Sequence, residues 1–197
     1  MERKKIAVFD FDGTITQKDT LWEFLNFSQS KAQLFFGILF LSPVLFLYKI
    51  HVFSNHKAKE ILFAHFFKNW DLLHFNEICN DFASIIHQIT RPKIIDLINY
   101  HKHNNHQLFI VSASIENWII PWAKEHEIKV IATKIEADSL GKLTGRFETK
   151  NCFGKEKVNR LLEELLSCRD SYYIFAYGDS DGDKELIDFA NKGIYVR

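Results

Sequence analysis

Ile6-Ala7-Val8-Phe9-Asp10-Phe11-Asp12-Gly13-Thr14 is the stretch from which the fold is read. Its first four residues form a short apolar strand pattern that stops at an acidic turn. The same form recurs. Leu108 to Val111 is a second apolar run, ending at Ser112, and Val130 to Ala132 is a third. Tyr172 to Tyr177 is a fourth, ending at Gly178-Asp179, and Ile194 to Val196 is a fifth. Helix-like stretches separate them, near Pro92–Lys102, Glu116–His126, Lys155–Leu166 and Lys184–Asn191. Strands alternating with helices predict an α/β fold with a mainly parallel sheet. Ligands collect at the carboxyl ends of such strands, and three of the ends carry Asp10, Ser112 and Asp179.

The alternation breaks after the first strand. Residues 20–89 read as several helices, near Leu21–Ser28, Ala32–Tyr48, Ala58–Lys68 and Phe75–Ile89, with Asp71 and Asn76 as caps. The expected organisation is a catalytic core of residues 1–19 and 90–197 with a helical lid, residues 20–89, over the strand ends. Lys134 to Phe147, with Asp138, Gly141 and Gly145, reads as a small hairpin. The lid holds much of an unusual phenylalanine supply. Of 19 phenylalanines in 197 residues, twelve lie between Phe24 and Phe82.

Bulk properties narrow the function. Twenty-five basic residues balance 25 acidic ones, so no basic field exists to hold a nucleic acid. Cys79, Cys152 and Cys168 form no C-x-x-C pair, which favours buried or half-buried thiols in a reducing cytosol over a disulfide framework. The charged start, Met1 to Lys5, precedes too short an apolar run for a secretory signal. His101, His103 and His106 sit beside Asn104 and Asn105 and read as a solvated turn rather than a metal site.

Chemistry concentrates in four places. Asp10 and Asp12 stand at i and i+2 after a strand, with Gly13 permitting close backbone approach. One carboxylate can attack an electrophile while the other moves a proton. Two acids this close repel, and an all-oxygen cation site suited to Mg²⁺ would relieve them. Gly178-Asp179-Ser180-Asp181-Gly182-Asp183 adds three carboxylates after another strand. An EF-hand is excluded there because Ala190 fills the twelfth position counted from Asp179. Ser112-Ala113-Ser114 offers hydroxyl and N–H groups to an anion. Gly154-Lys155-Glu156-Lys157 places lysines at a helix start, where one can neutralise phosphate.

In this order the four motifs resemble the haloacid dehalogenase superfamily. The helical insertion resembles subfamily IB, which includes phosphoserine phosphatase. The resemblance implies a Rossmann-like core with an α-helical cap and a phosphomonoesterase working through an aspartyl-phosphate. Asp10 would be the nucleophile, and Asp12 the acid and then the base. Mg²⁺ would be held by Asp10, the Asp12 carbonyl and Asp179, with Asp183 holding the metal's water shell or adding a ligand. Ser112 and neighbouring N–H groups, Ala113 among them, would bind the phosphoryl group. Lys155 would neutralise charge, with Lys157 the alternative.

Two substrates compete. The phosphoserine phosphatase pattern carries serine after the second aspartate, a glycine pair after the anion-binding serine, and a lid arginine. This chain has Gly13 and Ala113-Ser114, and no arginine between Arg3 and Arg91. Against this stands the uncharged run Ala32–Tyr48, within a possible membrane contact over residues 32–50 flanked by Lys31, Lys49, Lys57 and Lys59. One crossing is excluded, because it would put Asp10 and Ser112 on opposite sides of the bilayer. An even number of crossings, a re-entrant pair or an interfacial helix remains, with Ser42-Pro43 as a bend. In this, and at Asn151-Cys152-Phe153-Gly154, the chain looks like the phosphatidylglycerophosphatase C type, which implies a lipid phosphate met at the inner face of the membrane. A catalytically idle binding module on the same fold is the remaining alternative.

Overall fold

The computed structural model describes residues 3–50, 52–166 and 168–196. Met1, Glu2, His51, Ser167 and Arg197, which fall in the segments expected to form core and lid, lie outside the described residues. The chain runs β1 (Lys4–Phe9), α1 (Thr20–Ser28), α2 (Lys31–Lys49), α3 (Asn55–Phe67), α4 (Leu72–Ile89), α5 (Pro92–His103) and β2 (Gln107–Ile115). Then come α6 (Glu116–Glu125), β3 (Lys129–Thr133), β4 (Ile135–Ala137), β5 (Leu143–Phe147), α7 (Lys155–Glu164), β6 (Tyr172–Gly178), α8 (Lys184–Phe189) and β7 (Lys192–Tyr195).

Five strands form one parallel sheet in the order β3-β2-β1-β6-β7. The fold is therefore α/β, as the alternation predicts. β1 is central, and Ile6 to Phe9 are all inaccessible to solvent. A strand covered on both faces reads as a continuous apolar run rather than an alternating one. Phe9 pairs with Ile110 of β2 and with Tyr177 of β6. That register brings Asp10, Ser112 and Asp179 to one edge.

Four local expectations are corrected. β2 does not stop at Ser112 but continues to Ile115, with an irregularity in its pairing to β3 between those residues. Asn76 is not a cap. It lies inside α4, where it accepts a bond from Asn117 of α6 at 2.8 Å, while Asp71 caps the helix through the N–H groups of Leu73 and His74. The histidines are not one solvated turn. His101 is fully buried and bonds His106 at 2.7 Å and the Tyr177 hydroxyl at 2.8 Å. Burial first, then His106 and Lys192, depress the His101 imidazole to about 4. Only His103 of the three is exposed. Cys168 is also exposed, unlike the buried Cys79 and Cys152.

Five helices, α1 to α5, lie between β1 and β2, the first four forming the inserted block, and β4–β5 forms the antiparallel hairpin. One apolar cluster runs from the helical block into one face of the sheet. Phe24 packs 5.6, 5.5 and 5.1 Å from Phe67, Phe75 and Phe82, and 4.8 Å from Trp118 of α6. This accounts for part of the phenylalanine excess. α2 accounts for another part differently. Only Gly37 and Leu41 of this helix are buried, whereas Phe35, Phe36, Phe40 and Phe46 are 64%, 65%, 73% and 61% exposed. By length and composition α2 is apolar enough to cross a membrane.

Candidate active site

Asp10 leaves β1 with 6% exposure, and its N–H still donates to the Tyr177 carbonyl at 2.8 Å. The chain then turns tightly over residues 11–15. Gly13 adopts φ 78°, and a side chain there would collide with the Asp179 carboxylate. Glycine is thus what lets the Asp10 turn approach the β6 turn so closely. Thr14 stands between them, its hydroxyl 3.4 Å from Asp10 Oδ2 and 3.3 Å from Asp179 Oδ1.

The lysine at this centre is Lys157, which corrects the preference for Lys155. Lys155 opens α7 and is exposed. Lys157 lies two residues on, about 200° around the helix, and is 2% exposed. Its Nζ donates to Asp10 Oδ1 at 2.6 Å and to Asp183 Oδ1. Burial alone would depress the ammonium, but Asp10 and Asp183 outweigh it and hold Lys157 above the ordinary lysine range. Burial pushes the Asp10 carboxyl up to about 7 against the pull of Lys157, with Asp183 adding to the rise. Burial, and then Asp183, also raise Asp179.

Asp183 is 1% exposed and has both oxygens committed. One takes Lys157; the other takes the N–H groups of Asp179 at 3.2 Å and Ser180 at 3.1 Å, and the Ser180 hydroxyl at 3.0 Å. Asp10, Asp179 and Asp183 nonetheless bring one oxygen each within 4.8 Å of one another. Three carboxylates facing one ammonium carry two unbalanced negative charges when ionised, and the donors are hard oxygens. That combination fits Mg²⁺, with Asp10 and Asp179 holding the spare acceptor capacity.

Asp12 is placed apart from that cluster. Its Oδ1 accepts from the Thr20 N–H at 2.7 Å and the Thr20 hydroxyl at 2.6 Å, and its Oδ2 accepts from the Ser114 hydroxyl. Ser112 is buried, and its hydroxyl accepts from the Ser114 N–H at 3.1 Å. Asp10, Asp12, Ser112, Ala113, Lys157 and Asp179 line a single cavity of about 490 Å³.

The helical block supplies cavity residues that sequence reasoning did not place there. Lys59 of α3 reaches the Ala113 carbonyl at 3.4 Å. Leu21, Trp22, Leu45 and Tyr48 lie on that side too, and Asp19, in the core segment just before α1, also lines the cavity. Asp19 is raised by burial and by Asp12, and pulled down by Lys59. Its side chain caps α1 through the N–H of Leu21 at 2.9 Å.

Fold and site together define an α/β protein with an acid-lined cavity at the strand ends. The chain belongs to the haloacid dehalogenase-like hydrolase family, which it matches over residues 7–188. It is similar to Protein CicA of Caulobacter vibrioides (strain NA1000 / CB15N), 29% identical over 194 residues, which covers 96% of this chain and 85% of that protein. A Bordetella pertussis Tohama I protein of unknown function superposes with a TM-score of 0.80 at 20% identity, covering 94% of this chain and 86% of the other. A phosphoserine phosphohydrolase-like protein of Francisella tularensis subsp. tularensis SCHU S4 gives 0.63 at 18% identity, covering 97% and 85%. At such identities the structural likeness speaks for the fold.

Proposed function

We propose that the protein is a Mg²⁺-dependent phosphomonoesterase whose substrate is an apolar or lipid phosphate such as phosphatidylglycerophosphate. The observation that carries the chemistry is the ion pair of buried Asp10 with Lys157 on the cavity wall, the lysine being held from behind by Asp183. An Asp10 oxygen attacks phosphorus, and the bond to the ester oxygen breaks. Asp12 gives that oxygen its proton. Water then attacks the aspartyl-phosphate, Asp12 takes a proton back, and inorganic phosphate leaves with Asp10 restored. Ser112 and the Ala113 N–H hold the phosphoryl oxygens, and Lys157 offsets their charge. Lys155 has no part. Asp10, the Asp12 carbonyl and Asp179 would hold Mg²⁺, which would supply further charge neutralisation. Asp183 fixes Lys157 and the β6 turn instead of ligating. Residues 20–89 serve as the cap on a core of residues 1–19 and 90–197.

The substrate assignment rests on α2. The helix lends Leu45 and Tyr48 to the cavity and turns its phenylalanines outward. Each such side chain gains roughly 1.5–3 kcal/mol when fully buried. No acidic residue occurs between Glu23 and Glu60, a stretch holding Lys31, Lys49, Lys57 and Lys59. An interfacial helix at the cytoplasmic face of an anionic bilayer satisfies both features and keeps Asp10 and Ser112 on one side.

A second reading is favoured by Lys59 and Asp19, which both line the cavity and suit a substrate carrying carboxylate and amine, as phosphoserine does. Phosphate release from phosphatidylglycerophosphate in mixed micelles, beside phosphoserine, separates the two. Rapid turnover of phosphoserine alone sinks the lipid assignment. Activity that survives EDTA or Asp10→Asn sinks the mechanism.

A further inference from the structure

The Asp12 carboxylate is held by more donors than a turn residue requires, and they come from two separate elements. Thr20, the first residue of α1, gives it both a backbone N–H and a hydroxyl. Ser114, near the end of β2, gives a hydroxyl to the other oxygen. The Thr20 hydroxyl in turn accepts the Trp118 indole N–H at 3.2 Å and lies 3.3 Å from the Ser114 hydroxyl. Thr20, Ser114 and Trp118 are 0%, 3% and 1% exposed. Each hydroxyl has one proton, and in this arrangement both protons go to Asp12. Buried donors aimed at one acceptor fix its orientation, because any rotation leaves them unsatisfied.

We infer that Ser114 and Thr20 are positioning residues that set the orientation of Asp12 for proton transfer to the leaving oxygen, with Trp118 setting the Thr20 hydroxyl. This rests on the phosphatase reading and adds to it. Thr20 belongs to the helical block and Ser114 to the sheet, so the proton-transfer group is fixed jointly by both. Proximity and orientation of such a group carry much of its catalytic effect. A displaced Asp12 would hinder departure of a poor leaving group, which needs the proton, more than that of a good one.

The test compares Ser114→Ala and Thr20→Val with the wild type in Mg²⁺, using phenyl phosphate and p-nitrophenyl phosphate under single-turnover conditions. The expected result is a loss of about tenfold or more in the chemical step on phenyl phosphate, a fraction of the 10²–10⁴ that general acid catalysis supplies. Loss on p-nitrophenyl phosphate should stay within about threefold, with KM unchanged on both esters. Thr20→Ser, which restores the hydroxyl, should recover the phenyl phosphate rate. Circular dichroism and melting of each variant establish that it folds. Equal losses on the two esters, or no rescue by Thr20→Ser, would overturn the positioning role while leaving the phosphatase reading intact. A wild type inert towards both esters and towards phosphatidylglycerophosphate would overturn both.

Discussion

Helices α2 and α4 belong to the same inserted block and have 19 and 18 residues, yet they meet the rest of the molecule in opposite ways. α4 sets Phe75, Cys79, Phe82, Ala83, Ile86 and Ile89 on one stripe and buries all six. Leu72, Ile78 and Ile85 flank that stripe half-buried, and the exposed positions are polar apart from Leu73, so one orientation satisfies it best. α2 is apolar all round. Gly37 faces Phe66 of α3, Leu41 is buried, and Leu34, Val44 and Leu45 pack against the core, while an equally apolar stripe faces outward. Hydrophobicity alone therefore does not decide burial. In α2 the choice falls to shape: a side chain at Gly37 would run into the Phe66 ring, so the glycine sets which stripe faces inward.

The contrast can be attacked at several points. Phe82→Ala should cost about 3–5 kcal/mol, a melting loss of roughly 10 °C or more, since Phe82 sits inside the aromatic cluster. Gly37→Leu should cost about 1–3 kcal/mol by overpacking, read by urea unfolding, while leaving vesicle binding in place. Replacing Phe35, Phe36 and Phe40 together by serine should lower cosedimentation with anionic vesicles about tenfold, or ~1.4 kcal/mol, with little change in Tm. If that triple variant melts as badly as Phe82→Ala, the outer stripe is core and the contrast fails. The smallest expected difference is between the two caps. Asp71→Ala should lower Tm by about 2–4 °C, because α4 carries the core. Ser30→Ala, which opens the capping box of α2, should be barely detectable by the same melt.

The same contrast explains what could be read from the chain alone. Strand runs and their polar ends were legible because a buried parallel strand imposes a local pattern. The inserted helices were legible by their length. Lys157 was not, since the two lysines differ only in helical phase, and phase is set by how the chain enters α7 after Gly154 at φ 59°. His101 carried an overlooked signal. It continues the buried stripe of Ile94 and Ile98 at helical spacing, which outweighs the polar neighbours that suggested a turn. Thr20, Lys59 and Ser114 meet the site only through tertiary placement, 8 to 102 residues from the groups they contact. Local spacing holds no trace of those contacts.

The central position of β1 has a consequence during synthesis. Both strands that bond to it emerge late, β2 from Gln107 and β6 from Tyr172. Through much of translation the nascent chain therefore carries an unpaired apolar strand followed by the uncharged α2 segment, with its sheet partners not yet made. Such long-range pairing folds slowly and leaves intermediates prone to stick. Chains halted before Gln107 should be captured by vesicles or aggregate, whereas the finished chain keeps only the outer stripe of α2 available for the same contact.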